Sequence, residues 1–260
     1  AASGFNGDIG IYVKNLRTGK IVAVNADTVF PTASIVKVPI LLGIMDKIQK
    51  GELQYDSSLT YKDSLLYEGS DILGSFKSGE KILLKKVIML MLTTSDNTES
   101  LWLQSLAGKG TRINEILDSL GLKSTRVNSR TPGRENNRTQ YGWGQTTPAE
   151  MGTIFEKIYR NEIFSAAACE RMMRCLGRNY WDENEAISQI PPTIEVFSKN
   201  GCVNASRSEV LLVNAPHNPY VFCIFTKNNK DISWTHENEA WTMARKISKI
   251  LWEHFELKGN

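Results

Sequence analysis

The sequence predicts an α/β protein of the α+β type, in which an antiparallel sheet is flanked by helices and an all-helical lobe is inserted between its strands. Strand-like runs occur near both ends of the chain, whereas the long middle segment carries apolar residues at helical spacings of three and four. Strands at both ends can share one sheet. We therefore expect residues 1–33 and 192–260 to form an α/β lobe and residues 34–191 to form a helical lobe.

The N-terminal strands form a predicted hairpin. Residues 8–15 alternate apolar and polar side chains, and residues 20–25 form a second strand-like run. The Arg17-Thr18-Gly19 segment between the two runs is typical of a turn.

The middle of the chain is predicted to be helical, with one long polar loop at 128–147. A loop of this length is usually functional or mobile. The predicted helices span 40–48, 84–92, 97–106, 113–120, 148–159 and 166–176. Three predicted strands, 194–198, 209–213 and 220–226, then lead into a long amphipathic helix at 237–255.

Composition restricts the classes of partner. The 260 residues are 41% hydrophobic and 23% charged, with a net charge of only +3 and scattered basic residues, so we expect neither nucleic acid nor an anionic membrane as partner. The longest apolar stretch, 38–45, is far shorter than the roughly 20 residues that span a bilayer. The predicted partner is a small molecule, and the chain is expected to be a monomer.

The four cysteines predict neither a metal site nor a bound cofactor. They contain no C-x-x-C pair and have no histidine at metal-ligand spacing, so buried free thiols are expected. The chain begins at Ala1 rather than at methionine, which is compatible with removal of an export segment.

Three short polar motifs stand in fixed order along the chain. They are Ser34-Ile-Val-Lys37, Ser95-Asp96-Asn97 and Lys199-Asn200-Gly201. Each is weak alone, because serine and lysine three residues apart occur by chance in most proteins. Together they supply a nucleophile, two lysines and a hydroxyl that can relay a proton, and we expect them to meet at the seam between the two lobes.

Ser34 precedes an apolar helical run and is expected at a helix N-terminus, where free backbone N–H groups stabilise negative charge. Lys37 shares a face with Ser34 and, if it is enclosed, can act as a base. Pro39 is tolerated in the first turn, so the helix should begin near Ile35. The alternative for this motif alone is a capping serine followed by a solvated lysine.

The second and third motifs can face the same cleft. Ser95 and Asn97 are two residues apart and can project together, whereas Asp96 is interpreted as a capping residue between helices. Lys199 is expected at the end of a strand, where Gly201 allows a substrate to approach the backbone. The amide after Gly201 could then donate to an oxyanion.

The three motifs in this order resemble those of the penicillin-recognising serine enzymes, which are the class A β-lactamases and the related D,D-peptidases. The segments 79–85, 94–98 and 146–151 are also similar to that family, and the resemblance covers nearly the whole chain. It implies the β-lactamase/transpeptidase fold and a bacterial protein that is periplasmic or secreted.

The resemblance also implies a role for each residue of the catalytic motifs. Ser34 would attack the carbonyl of a β-lactam and Lys37 would take its proton, while the backbone amides of Ser34 and Cys202 would hold the oxyanion. Ser95 would pass a proton to the departing nitrogen.

The remaining site residues are assigned to substrate binding. Asn97 would hold the substrate's side-chain amide, and Lys199 would attract its carboxylate together with Asn200 and Gly201. Arg207 lies one residue away from the position where the family often has a second carboxylate anchor.

Two departures from the family pattern concern Asn200 and the loop. Asn200 replaces a threonine or serine, which should alter selectivity. The family's hydrolytic glutamate follows two residues after an arginine, but counting from Arg130 leads to Pro132, and Glu135 is the only carboxylate in the loop. If Glu135 activates water, the chain is a β-lactamase; if not, it resembles a D,D-peptidase or penicillin-binding protein that is acylated and deacylates slowly.

Other classes of protein fit less well. A Ser/His/Asp hydrolase is disfavoured because the chain has no G-x-S-x-G motif and its three histidines lie in turn or helix-end positions. A non-catalytic binding module and a glutaminase-type amidase remain as alternatives.

Overall fold

The computed structural model describes residues 4–69 and 72–257. Its main antiparallel sheet has five strands, which are β1 (Asp8–Asn15), β2 (Ile21–Val24), β8 (Val196–Val203), β9 (Ser206–Val213) and β10 (Tyr220–Lys227). Their spatial order is β2-β1-β10-β9-β8, so β8 and β2 are the edges of the sheet.

Eight α-helices lie within the described residues, and seven of them come from the segment between β2 and β8. The antiparallel sheet with inserted helices confirms the predicted fold class. The helices are α1 (Lys37–Gln49), α2 (Leu84–Thr93), α3 (Asn97–Leu106), α4 (Lys109–Ser119), α5 (Glu135–Tyr141), α6 (Pro148–Tyr159), α7 (Ala166–Leu176) and α8 (Glu239–Trp252).

The segment between β2 and β8 is not purely helical, and four of its five short strands lie within 34–191, which the sequence predicts to be all-helical. The short strands form a three-stranded and a two-stranded sheet. Runs of two or three residues are too short to show a period of two, so their pattern gave no signal. These strands are β3 (Phe30–Pro31), β4 (Ser58–Thr60), β5 (Lys81–Leu83), β6 (Arg126–Val127) and β7 (Gly144–Thr146).

The predicted loop at 128–147 also differs from the structure, because it contains α5 and β7. Strand β8 ends at Val203, later than the predicted residue 198, and strand β9 begins at Ser206, earlier than the predicted residue 209. Lys199 consequently lies inside a strand rather than at its end.

Both faces of the main sheet are buried over most of its strands, whereas the edge strand β2 is exposed. Ile11 and Val13 of β1 belong to the apolar cluster that includes Met243 and Ile247 of α8, whereas Tyr12 between them belongs to the larger cluster formed with the helices of the insertion. This alternation follows from the period of two in a strand. The larger cluster contains residues from both predicted lobes, and the division into two lobes stays a prediction.

No helix in the described ranges is long and apolar enough to cross a bilayer.

Candidate active site

Ser34 lies in a 3₁₀ turn, Ala33–Val36, directly before α1. Helix α1 begins at Lys37, slightly later than predicted, and Pro39 lies in its first turn, where a missing N–H costs little. The residue before Ser34, Ala33, has a φ of 43°, which is uncommon for a residue other than glycine. The turn thus presents Ser34 at the entrance of the first helix.

Lys37 lies at the centre of the site and is fully buried. Its Nζ lies 3.0 Å from the Oγ of Ser34, 3.1 Å from the Oγ of Ser95 and 3.1 Å from the Oδ1 of Asn97. Burial lowers the pKa of Lys37 well below its ordinary value, and the nearby charge of Lys199 lowers it further. The amine can therefore accept a proton from Ser34.

Ser95 lies between α2 and α3 and has a φ of 60°. Non-glycine residues in this region are held there by their surroundings and cluster at functional sites. The Oγ of Ser95 accepts hydrogen bonds from both Lys37 and Lys199, each at 3.1 Å. A proton on either lysine can therefore reach the same oxygen.

Asp96 holds this turn in place rather than facing the cleft. One carboxylate oxygen accepts the backbone N–H groups of Thr98 and Glu99 at the start of α3, and the other accepts those of Ile72 and Leu73. Asp96 is the N-cap of α3, as the sequence predicts.

Lys199 is fully buried inside β8, and burial lowers its pKa to about 8. Besides Ser95 Oγ, its Nζ donates to the backbone oxygen of Asn200 at 2.9 Å and to the Oδ1 of Asn200 at 3.1 Å.

Gly201 allows the edge strand β8 to lie against the turn that carries Ser34. A Cβ at this position would lie 2.3 Å from the backbone oxygen of Thr32 and 3.0 Å from the backbone nitrogen of Ser34. No side chain larger than hydrogen fits without moving one of the two backbones.

Cys202 directs its backbone N–H out of the sheet. Its partner on β9 is Arg207, whose own N–H and C=O both bond to Thr226 on β10. Because such pairs alternate along an antiparallel ladder, the N–H of Cys202 faces the open edge, where β8 passes Ser34. The backbone N–H of Cys202 therefore faces the turn of Ser34, whose backbone nitrogen would lie 3.0 Å from a Cβ on the neighbouring Gly201.

Asn200 is held by a buried glutamate that the sequence analysis missed. Its side-chain nitrogen donates to the backbone oxygen of Trp181 at 3.0 Å and to the Oε1 of Glu185 at 2.9 Å. Burial raises the pKa of Glu185 to about 7. Glu185 lies in a polar stretch without a periodic pattern, so nothing local indicated that it would be buried.

Two cavities meet at Ser34, Asn97 and Cys202. The first, which we call the loop-side cavity, has a volume of about 520 Å³. Part of its wall is formed by the segment before α6, with lining residues that include Gln140, Tyr141 and Trp143. The second, the tryptophan-side cavity, has a volume of about 620 Å³ and is lined by Ser95, Asn200, Gly201 and the group Tyr180, Trp181, Glu183, Asn184, Glu185, Trp234 and Trp241.

Two sequence-predicted site residues lie apart from these cavities. Glu135 is exposed at the start of α5, its Oε1 accepts the backbone N–H of Gly133, and it lines neither cavity. Arg207 also lines neither: its guanidinium lies 4.1 Å from the ring of Trp234 and 4.8 Å from that of Trp241, and it donates to backbone oxygens, including that of Ser233. Of the other eight predicted residues, six line the tryptophan-side cavity. The remaining two, Lys37 and Lys199, are buried behind that lining and donate to the Oγ of Ser95.

In the described ranges, no three His, Cys, Asp or Glu side chains are grouped as metal ligands.

Comparison with known protein families matches residues 1–255 to the family described as the β-lactamase enzyme family. The chain belongs to this family. Curated relatives include β-lactamase VEB-1 of Pseudomonas aeruginosa, 22% identical over 96% of this chain and 86% of the relative. β-Lactamase BRO-1 of Moraxella catarrhalis is also 22% identical, over 95% of this chain and 80% of the relative.

Solved structures share the fold. A β-lactamase from Sphaerobacter thermophilus superposes with a TM-score of 0.85 at 20% identity and covers 98% of this chain and 94% of its own. A structure described as a mutant of PBP-A, in an acyl-enzyme complex with penicillin G, has a TM-score of 0.84 at 24% identity and covers 96% of this chain and 90% of its own. At such identities the likeness establishes the fold alone.

Proposed function

We propose that the chain is a class A β-lactamase-like serine hydrolase that is acylated at Ser34 by β-lactam amides. The observation that carries the proposal is the position of Lys37, whose Nζ lies within hydrogen-bond distance of the Oγ atoms of both Ser34 and Ser95. A nucleophile and a base at this distance are what covalent catalysis requires.

In the first step the Oγ of Ser34 bonds to the carbonyl carbon while its proton moves to the Nζ of Lys37. The carbonyl oxygen becomes negatively charged and is held by the backbone N–H groups of Ser34 and Cys202. A lowered pKa of Lys37 supports this step, because the amine must be neutral before it can take the proton.

In the second step the carbon–nitrogen bond of the amide breaks and the nitrogen leaves with a proton from the Oγ of Ser95. Ser95 regains a proton from Lys37, which holds the one taken from Ser34. Lys199 donates to the same oxygen from the other side and stabilises it while it is short of a proton.

Release of the acyl group by water is the step for which the site offers the fewest suitable side chains. The described residues that line the loop-side cavity include no Asp or Glu, and Glu135 lies outside it. A missing general base typically costs about 10² to 10⁴ in rate. This favours the second candidate function, a penicillin-binding protein or D,D-peptidase-like amidase whose acyl-enzyme persists.

The family relationship supports further parts of the proposal. The substrate is a small molecule, a β-lactam or a peptide-like amide, and the protein acts as a monomer in the bacterial periplasm or outside the cell. In that setting, capture or hydrolysis of penicillins would contribute to antibiotic resistance.

Intact-mass measurement after mixing with benzylpenicillin tests the proposal. We expect a mass increase equal to one whole penicillin, located on Ser34 by peptide mapping, and an adduct that decays slowly. Ser34→Ala should give no adduct, whereas Ser119→Ala, an exposed serine on α4, should react like the parent. An unmodified parent protein, or an adduct on Ser34→Ala, would refute the proposal. Rapid turnover with no persistent adduct would establish a β-lactamase and refute slow deacylation.

A further inference from the structure

The wall of the tryptophan-side cavity carries most of the exposed aromatic side chains of this protein. Four aromatic side chains are exposed within residues 4–69 and 72–257, and three of them, Tyr180, Trp181 and Trp234, line this cavity. Their exposed fractions are 71%, 50% and 58%. Large aromatic side chains gain free energy when they leave water, so a group of exposed ones at one cavity indicates a binding surface.

The polar atoms of the two exposed indoles are already bonded within the protein. The Nε1 of Trp181 donates to the backbone oxygen of Thr94 at 2.9 Å, and the Nε1 of Trp234 donates to the Oδ1 of Asn204 at 3.1 Å. An indole has no other hydrogen-bonding group. Both rings therefore offer carbon surface to a ligand, which favours an apolar group over a polar one.

Neighbouring side chains hold both rings in position. The Arg207 guanidinium lies 4.1 Å from the ring of Trp234, and the Trp241 ring meets the same ring at an angle of 71°. Tyr180 packs edge-on against Trp181, with ring centroids 4.8 Å apart. A rigid aromatic surface loses little conformational entropy when a ligand binds. The rings are thus positioned for binding before the substrate arrives.

The aromatic rings share their cavity with the edge of β8, the place that the family resemblance assigns to the substrate carboxylate. Asn200, Gly201 and Cys202 of that edge line the cavity together with Trp181 and Trp234. With a volume of about 620 Å³, the cavity has room for a group in addition to the carboxylate. The edge of β8 and the rings can therefore bind two different parts of one ligand.

The position of Ser95 indicates which half of the substrate meets the rings. Ser95 lines this cavity, and under the proposed function, on which this inference rests, it protonates the departing nitrogen. The substituents of that nitrogen therefore enter the tryptophan-side cavity. We infer that Trp181 and Trp234 bind an aromatic or other apolar group on the leaving half of the substrate. The substrate class is then an amide whose leaving half combines a carboxylate with an apolar ring.

Two cephalosporins with the same phenylacetyl acyl half test the inference. One carries a methyl group and the other a benzyl group on the ring carbon next to the carbon that bears the carboxylate, and the benzyl methylene keeps the phenyl ring out of conjugation. We expect the benzyl reagent to acylate Ser34 about tenfold faster, because its ring leaves water against the two tryptophans. Second-order rate constants are measured by intact mass, and each is divided by the reagent's own rate of alkaline hydrolysis.

Alanine variants identify the side chains that are responsible. Trp181→Ala and Trp234→Ala should each lower the benzyl-to-methyl rate ratio by about threefold or more. The methyl reagent is the internal standard, because a merely structural role of the tryptophans would lower both rates together and leave the ratio unchanged. Ile250→Ala is the matched control: Ile250 is an apolar side chain of α8, 54% exposed, that lines neither cavity, and its variant should keep the parental ratio.

Three outcomes would overturn the inference. If the parent reacts with the benzyl reagent no faster than with the methyl reagent, the inference is wrong and the proposed function stands. A ratio that survives both tryptophan substitutions has the same meaning, and either variant alone decides if the other folds poorly. If neither cephalosporin forms an adduct on Ser34, the inference is wrong, and benzylpenicillin then decides whether the proposed function fails with it.

Discussion

The side-chain nitrogens of Lys37 and Lys199 both lie 3.1 Å from a single atom, the Oγ of Ser95. Two ammonium groups so close together and buried repel each other, and the first to lose its proton is the one whose pKa is depressed further. The charge of Lys199 helps to lower the pKa of Lys37, whereas the largest influences on Lys199 after burial come from acidic groups that raise it. The pair therefore favours a neutral Lys37 beside a charged Lys199.

We expect the acylation rate to pass through a maximum with pH. The rate should rise as Lys37 loses its proton, at a pH well below the ordinary lysine value, and fall as Lys199 loses its proton near pH 8. Acylation by benzylpenicillin, followed by intact mass between pH 5 and 10, would check the profile. A rate that keeps rising beyond pH 9 would contradict the assigned protonation states.

Gly201→Ala should abolish or strongly reduce acylation. The added Cβ would push β8 away from the turn that carries Ser34 and so separate the two backbone N–H groups at the oxyanion position. Loss of one oxyanion donor costs about 10² to 10³ in rate. Gly177→Ala is the matched control, because a Cβ there meets only ordinary contacts at 3.6 Å or more. Equal acylation rates for the two variants would argue against this role of the strand edge.

Deacylation should not depend on Glu135. Its carboxylate bonds to the backbone of Gly133 and lies outside the loop-side cavity, so Glu135→Gln should leave the lifetime of the acyl-enzyme unchanged. Gln140 lines that cavity, and Gln140→Glu should shorten the lifetime, by up to about 10²-fold, because it adds a carboxylate that can activate water. A longer lifetime for Glu135→Gln would assign the hydrolytic role to Glu135.

Asp96→Ala should destabilise the protein by about 3 kcal/mol, because it leaves four backbone N–H groups without their charged acceptor. Ser165→Ala, which removes the N-cap of α7, should cost only about 1 kcal/mol. Urea unfolding of the two variants and the parent would measure the difference. Similar losses would mean that the bonds from Asp96 to residues 72 and 73 contribute little.

Much of the fold could be predicted because several elements carry a complete local pattern. The predicted limits of α3, α6 and α7 agree with the structure, and so do those of β1, since each combines strong periodicity with an end signal. The short strands β3 to β7 had no such pattern, because two or three residues are too few to show a period of two.

The sequence by itself determined the order of the three motifs, and hence the candidate nucleophile, the two lysines and the resemblance to the family. Tertiary structure alone decided the surroundings of these groups. Glu185 holds Asn200, the Arg207 guanidinium lies over two tryptophan rings, and Glu135 lines neither cavity. The physical reason is that the chemical type of a side chain is encoded locally. Its hydrogen-bond partners, its burial and its pKa depend on segments that meet only when the sheet and the helices pack together.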